Sequence, residues 1–277
     1  MLGSPMRFRE KLDAAVARNQ SLLCVGLDPQ PELMPLKSVA SFNRAIIAAT
    51  QDIVCAYKPN LAFYEALGRE GIRALEKTLA YIPPHIPTIG DAKRGDVGHS
   101  ARAYAQALFD GLGFDAVTVN PYLGHDSVEP FLAYQEKGVF LLCRTSNPGG
   151  ADLQGLTVSL PGRGEMPLYQ AVALRAQEWD RAGNVGLVVG ATYPEELRQV
   201  RQLCPTLPIL VPGIGAQGGD LELSLRHGLD TQGGGLILTS SRAIIYASRG
   251  RDFAPQARQA ALALRQQVNS LRPAAAP

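Results

Sequence analysis

The chain has 277 residues, a formal net charge of +2, 46% hydrophobic and 19% charged residues. This balance offers no electrostatic basis for binding nucleic acid or an anionic membrane, so any anionic partner should be small and held locally. The length suits one α/β barrel, which commonly runs to about 250 residues as a single unit, and no apolar run approaches the roughly 20 residues of a membrane helix.

Eight short apolar runs follow one another, each closing in Gly, Pro or a polar residue. They are Leu22–Leu27, Ile53–Tyr57, Thr88–Asp91, Ala116–Val119, Val139–Cys143, Gly186–Val189, Ile209–Val211 and Leu236–Thr239. Amphipathic stretches lie between them, at Phe42–Ile53, Gly71–Tyr81, Ala101–Leu112, Leu168–Ala182 and Pro194–Leu203. Strand-like runs alternating with helical ones predict α/β architecture, and eight alternations predict a (β/α)8 TIM barrel. A doubly wound open sheet is the alternative. The polar residues favour the barrel: Asp28, Lys58, Asp91 with Lys93, Asn120, Ser146, Thr192, Gln217 and Ser241 with Arg242 all fall at the C-terminal ends of successive runs. In a barrel those ends converge on one rim, where this fold builds its active sites. A single domain over 1–277 is expected, with short flexible ends at about 1–6 and 271–277. The Gly- and Pro-rich stretch Asn147–Pro167 reads as a mobile rim loop.

Cys24, Cys55, Cys143 and Cys204 stand far apart without CxxC or Cys/His pairing, and three lie within apolar runs. Buried reduced thiols are expected, and with them a cytoplasmic location. Met1–Pro5 is too short to supply the apolar core of a secretion signal.

The segment Asp91-Ala92-Lys93-Arg94-Gly95-Asp96 places carboxylates on both sides of an ammonium at the end of a buried run. Asp91 and Lys93 are two apart and share a face on an extended strand. Such a pair is costly to bury unless matched or used. It can be read as a structural salt-bridge cluster, as a divalent-metal site, or as a charged catalytic network with the lysine poised to give a proton. A lysine between the acids would repel a second cation, and the rim position together with Lys58 favours catalysis. Val54, Ala56 and Lys58 share a face, and Pro59 ends the ladder, which puts the Lys58 ammonium inside the rim. Asp28 follows Cys24 and Gly26 on one face in the same way.

Two further loops suit an anion. Pro212-Gly213-Ile214-Gly215-Ala216-Gln217-Gly218-Gly219-Asp220 follows the seventh run, and Ser240-Ser241-Arg242 follows the eighth. Glycines admit backbone N–H groups close to phosphate, barrels often hold phosphate after strands seven and eight, and Arg242 adds a positive fork. Gly233–Gly235 lies at the opposite end of the last run and reads as a connection. The four histidines lack metal-ligand spacing, so no metal site is expected; Trp179 reads as helix packing.

With Lys58, Asp28 and the PGIGAQGGD loop, the motif Asp91-Ala92-Lys93-Arg94-Gly95-Asp96-Val97-Gly98-His99-Ser100-Ala101 resembles the orotidine 5′-phosphate decarboxylase family, specifically its bacterial subfamily with the DAKRGD signature. The resemblance implies conversion of orotidine 5′-monophosphate to UMP and CO2, the last step of pyrimidine biosynthesis, without metal or organic cofactor. It also implies a homodimer with active sites at the interface. Carried over by position, Lys58, Asp91, Lys93 and Asp96 would form a charged tetrad, Asp96 coming from the neighbouring subunit. Lys93 would protonate C6, Asp91 would sit beside the substrate carboxylate, and Lys58 and Asp28 would contact the ribose hydroxyls. Ser146 would bind the pyrimidine amide. Gln217 and Arg242, with the backbone near Gly218 and Ser241, would grip the phosphate, and Val97 and Ser100 would reach into the partner's site. Asn120 joins the substrate-binding candidates from its rim position. The nearest rival is a Mg2+-dependent sugar-phosphate aldolase of related barrels, such as hexulose-phosphate synthase, which wants an acid where this chain carries Lys58. A non-catalytic nucleotide-binding barrel is the other.

Overall fold

The computed structural model describes residues 6–214 and 219–272. Eight parallel strands form one sheet: β1 (Leu23–Gly26), β2 (Ala56–Lys58), β3 (Ile89–Arg94), β4 (Ala116–Val119), β5 (Gly138–Arg144), β8 (Val185–Val189), β9 (Ile209–Pro212) and β10 (Leu236–Ser240). The remaining two, β6 (Thr157–Leu160) and β7 (Gly164–Pro167), pair antiparallel outside it. Along the sheet the order is β2-β1-β10-β9-β8-β5-β4-β3. The bridges Tyr57↔Thr88 and Asn60↔Asp91 join its two edges, so the expected barrel closes.

Alternate strand residues fill the barrel: Cys24, Ala56, Ile89, Ala116, Phe140, Val188, Leu210 and Ile237 belong to one buried cluster. The helix Phe8–Asn19, which the sequence reading did not anticipate, plugs the N-terminal end, with Phe8 meeting Phe140 edge-on at 5.7 Å. Two glycines make room for these rings. A Cβ at Gly138 would come within 2.5 Å of Phe8, and one at Gly186 within 2.5 Å of Phe140. The outward strand residues pack against the surrounding helices in two larger clusters.

The helical periodicity locates its elements to within a turn. The stretch expected at Phe42–Ile53 folds as Val39–Thr50, because Ser38 caps it by accepting from the Ser41 N–H at 3.2 Å. Pro194–Leu203 folds as expected, and Ala101–Leu112 becomes Gly98–Gln106 followed by a π turn at Ala107–Gly111. Helix Phe253–Leu271 runs into the stretch expected to be a flexible end; residues 1–5 and 273–277 lie outside the described residues.

Two expectations are corrected. The segment Asn147–Pro167 is not an irregular loop: a 3-10 turn (Pro148–Gly150) and a short helix (Ala151–Gln154) lead into the β6–β7 hairpin. Thr157-Val158-Ser159-Leu160 alternates as a strand does, and Gly162 and Gly164 adopt the positive φ of the turn, 74° and 79°. Val54 does not face into the barrel. β2 begins at Ala56, and Val54 packs in an outer cluster, its carbonyl accepting from Asn19 Nδ2 at 2.6 Å.

Candidate active site

The C-terminal strand ends enclose a cavity of about 620 Å³. Asp28, Lys58, Asp91, Lys93, Ser146, Ser241 and Arg242 all line it, and together they come from five strand ends or the loops just after them. The sequence-predicted polar residues of β1, β2, β3, β5 and β10 are thus brought to one place.

At its centre is a carboxylate shared by two ammonium groups. Lys58 Nζ lies 2.6 Å from Asp91 Oδ2, and Lys93 Nζ lies 2.6 Å from Asp91 Oδ1. The Thr118 hydroxyl of β4 donates to Asp91 Oδ1 at 3.0 Å and accepts the Lys93 backbone N–H at 2.9 Å. Burial pushes the Asp91 carboxyl up, but Lys58 and Lys93 outweigh it and hold the group well below the usual carboxylate range. Burial likewise pushes Lys58 down, and Asp91 and Asp28 reverse the effect, leaving Lys58 above the ordinary lysine value. The accessibilities differ. The Lys58 side chain is 6% exposed and the Lys93 side chain 47%, so Lys58 borders the cavity from its buried wall while the Lys93 ammonium is the more accessible of the two.

Lys93 reaches Asp91 by a route different from the one expected. Its backbone is left-handed, with φ at 48°, and the β3–β4 register shifts between Gly90 and Arg94. Asp91 and Lys93 are therefore not a same-face pair on a regular strand. A bulge turns the lysine back onto the carboxylate, and the Thr118 hydroxyl holds the displaced N–H.

Asp28 Oδ1 accepts the Asn60 N–H at 3.2 Å, which fixes the acid over the Lys58 end of the cavity. Ser146 lies against β8: a Cβ at Gly190 would come within 2.6 Å of Ser146 Cα, and the Ser146 carbonyl accepts from Thr192 Oγ1 at 3.1 Å. On the wall formed after β9 and β10, Gly213 and Ile214 line the cavity with Ser241 and Arg242. Gln217 and Gly218 lie outside the described residues.

Four candidates do not join this cavity within the chain. Asn120 Oδ1 accepts the Tyr122 N–H at 3.0 Å and caps the turn after β4. Asp96 Oδ1 accepts the Val97 N–H at 2.8 Å. Val97 is 50% exposed and Ser100 is exposed on the first turn of helix Gly98–Gln106.

Sequence reasoning missed several contributors. Thr118 hides inside the apolar run Ala116–Val119, where a threonine is an ordinary strand former. Arg144, at the end of β5, is buried at 4% exposure and stacks on Tyr193 with 3.5 Å from guanidinium carbon to ring centre. Its Nη1 donates to the Thr145 carbonyl and to Gln154 Oε1, both at 3.3 Å. Gln154 Oε1 also accepts the Thr145 N–H at 2.9 Å. Arg144 and Gln154 so fasten the 147–167 excursion to the strand that carries Ser146. Among the described residues, no three His, Cys, Asp or Glu side chains come together in a metal-ligand set.

A (β/α)8 barrel whose rim gathers two lysines on one buried aspartate, with a basic arm after its last strand, defines an enzyme that stabilises charge on a small anionic substrate. The chain belongs to the orotidine 5′-phosphate decarboxylase / HUMPS family, whose model matches residues 21–256. It is 54% identical to the orotidine 5′-phosphate decarboxylase of Thermomicrobium roseum over 274 residues, 96% of each chain. To that of Cellvibrio japonicus it is 52% identical over 279 residues, 96% of this chain and 100% of the relative. Among solved structures, OMP decarboxylase of Leishmania donovani superposes with a TM-score of 0.84 at 43% identity, covering 96% of this chain and 98% of that one.

Proposed function

We propose that this chain decarboxylates orotidine 5′-monophosphate to UMP and CO2 in pyrimidine biosynthesis. The observation that carries the reading is the Lys58–Asp91–Lys93 network at the rim of the barrel, with one ammonium buried and one accessible. The family and the relatives named as this decarboxylase agree with it.

Loss of CO2 leaves an electron pair at C6, and a cation already in position stabilises that charge without reorganising. Lys93 takes this part and delivers the proton to C6. Asp91 lies beside the departing carboxylate and orients both lysines. Lys58 and Asp28 meet the ribose hydroxyls, Ser146 the pyrimidine amide, and Arg242 with the Ser241 and Gly218 backbone and Gln217 the phosphate. Binding energy from that remote phosphate supports the reacting end by ordering the site.

Asp96, Val97 and Ser100 act in a partner's site in a homodimer. In support, Val97, Tyr104, Tyr122 and Leu123, on the segments after β3 and β4, are large apolar side chains left 39–75% exposed. The enzyme is cytoplasmic, in keeping with four buried free cysteines and with the lack, among the described residues, of any helix long and apolar enough to cross a membrane. Magnesium-dependent aldol chemistry is disfavoured because both Asp91 oxygens are occupied by ammonium groups. Loss of orotate absorbance on adding orotidine 5′-monophosphate in the presence of EDTA tests the reading; unchanged absorbance would leave only a nucleotide-binding barrel.

A further inference from the structure

The arm after β10 and the loop after β1 are hydrogen-bonded on both sides of Asp28. Ser241 Oγ donates to the Gly26 carbonyl at 3.1 Å. Five residues on, the Tyr246 hydroxyl donates to the Asp28 carbonyl at 3.1 Å and accepts the Gln30 N–H at 2.6 Å. One phenol oxygen thus bridges the two ends of Asp28-Pro29-Gln30, a segment with no regular secondary structure of its own.

The tyrosine is itself firmly placed. Its backbone N–H closes the helical turn Arg242–Ile245 by donating to the Arg242 carbonyl at 3.2 Å, and its ring stacks on Phe42 at 5.7 Å and 15°. The approach of the two segments is close: a Cβ at Gly26 would come within 2.7 Å of Ser241 Cβ and 3.2 Å of Asp28 Oδ2. A single turn of helix therefore carries the Arg242 guanidinium to the cavity and the Tyr246 hydroxyl to the backbone of Asp28.

We infer that Tyr246 is a positioning residue, which holds the Asp28 carboxylate at the ribose from the arm that carries Arg242. It touches no substrate atom; it fixes the chain from which Asp28 projects and ties that chain to the phosphate side. The inference rests on the reading of Asp28 as a ribose contact. A neutral hydrogen bond is worth about 1 kcal/mol net, or roughly fivefold in an equilibrium constant.

The test is a double-mutant cycle on UMP affinity, measured by calorimetry with the full chain and with thermal melts alongside. Tyr246→Phe keeps the ring against Phe42 and removes the hydroxyl. It should weaken UMP about fivefold in the native background and less than twofold in Asp28→Ala. A second ligand reads the same coupling without touching Asp28: 2′,3′-dideoxy-UMP should lose less than twofold from Tyr246→Phe. Equal losses in both backgrounds and for both ligands would make Tyr246 a general structural residue and overturn the inference while leaving Asp28 at the ribose. Unchanged UMP affinity in Asp28→Ala alone would remove Asp28 from the ribose, and the inference with it.

Discussion

Lys58 and Asp91 form a buried ion pair at 2.6 Å in which neither side chain is more than 11% exposed. Breaking such a pair from one side leaves an unmatched buried charge and costs about 3–5 kcal/mol. The two partners are not equivalent here, because Asp91 keeps Lys93 if Lys58 is removed, whereas Lys58 loses its closest counter-ion if Asp91 is removed.

Asp91→Asn should therefore destabilise the fold by about 3 kcal/mol, and Lys58→Met by about half as much. Urea unfolding at pH 7 checks both. Equal losses would mean that the second lysine gives Asp91 no support.

The pH dependence follows from the directions of the shifts. Asp91 lies lower folded than unfolded, so its contribution is complete above the unfolded carboxyl value of about 3.9 and is lost as pH falls through the folded one. Lys58 lies higher folded, so its contribution is complete below about 10.4 and is lost as pH rises through its folded value. Both charges are constant in between. The stability gap between the native chain and Asp91→Asn should be flat across the neutral range and narrow below about pH 4, as followed by thermal melts; a gap constant down to pH 2.5 would contradict the shift.

Thr118 holds both Asp91 and the left-handed backbone of Lys93 through one oxygen. Thr118→Val keeps the shape and removes both bonds. kcat should fall about tenfold, equivalent to about 1.4 kcal/mol of transition-state stabilisation, with KM changed less than threefold. A change confined to KM would show that Thr118 serves binding and not the placement of the ammonium.

Arg144 stacks on Tyr193 and meets Gln154 beneath the excursion. Arg144→Met should cost about 2 kcal/mol of stability through the lost stacking and hydrogen bonds, and should raise KM by loosening the Ser146 segment. Steady-state kinetics and melts together decide. An unchanged KM would detach Arg144 from the base-binding side.

Much of the rim was legible because a charged residue at the end of an apolar run has few physical excuses. Lys58 before Pro59, Asp28 after Gly26 and Arg242 after Ser240-Ser241 were each marked by a break between apolar strand and polar turn. Lys93 was found for a partly wrong reason: a period of two assumes a regular strand, and the bulge that aims it appears only when β4 supplies Thr118. The 147–167 hairpin was masked by its own glycines and prolines, which mark turns but not the strands they join. Arg144 and Tyr246 were invisible for another reason. The ring that Arg144 stacks on lies 49 residues away and the backbone groups that the Tyr246 hydroxyl meets lie 216 and 218 away, and no local pattern encodes such contacts.

The central claim is that the accessible ammonium on the shared carboxylate supplies the charge and proton at C6. Lys93→Ala assayed by orotate absorbance, with UMP affinity measured on the same sample, tests it most directly. Turnover should fall by more than about 10³-fold while UMP still binds. Turnover within tenfold of the native chain, with UMP binding intact, would contradict it.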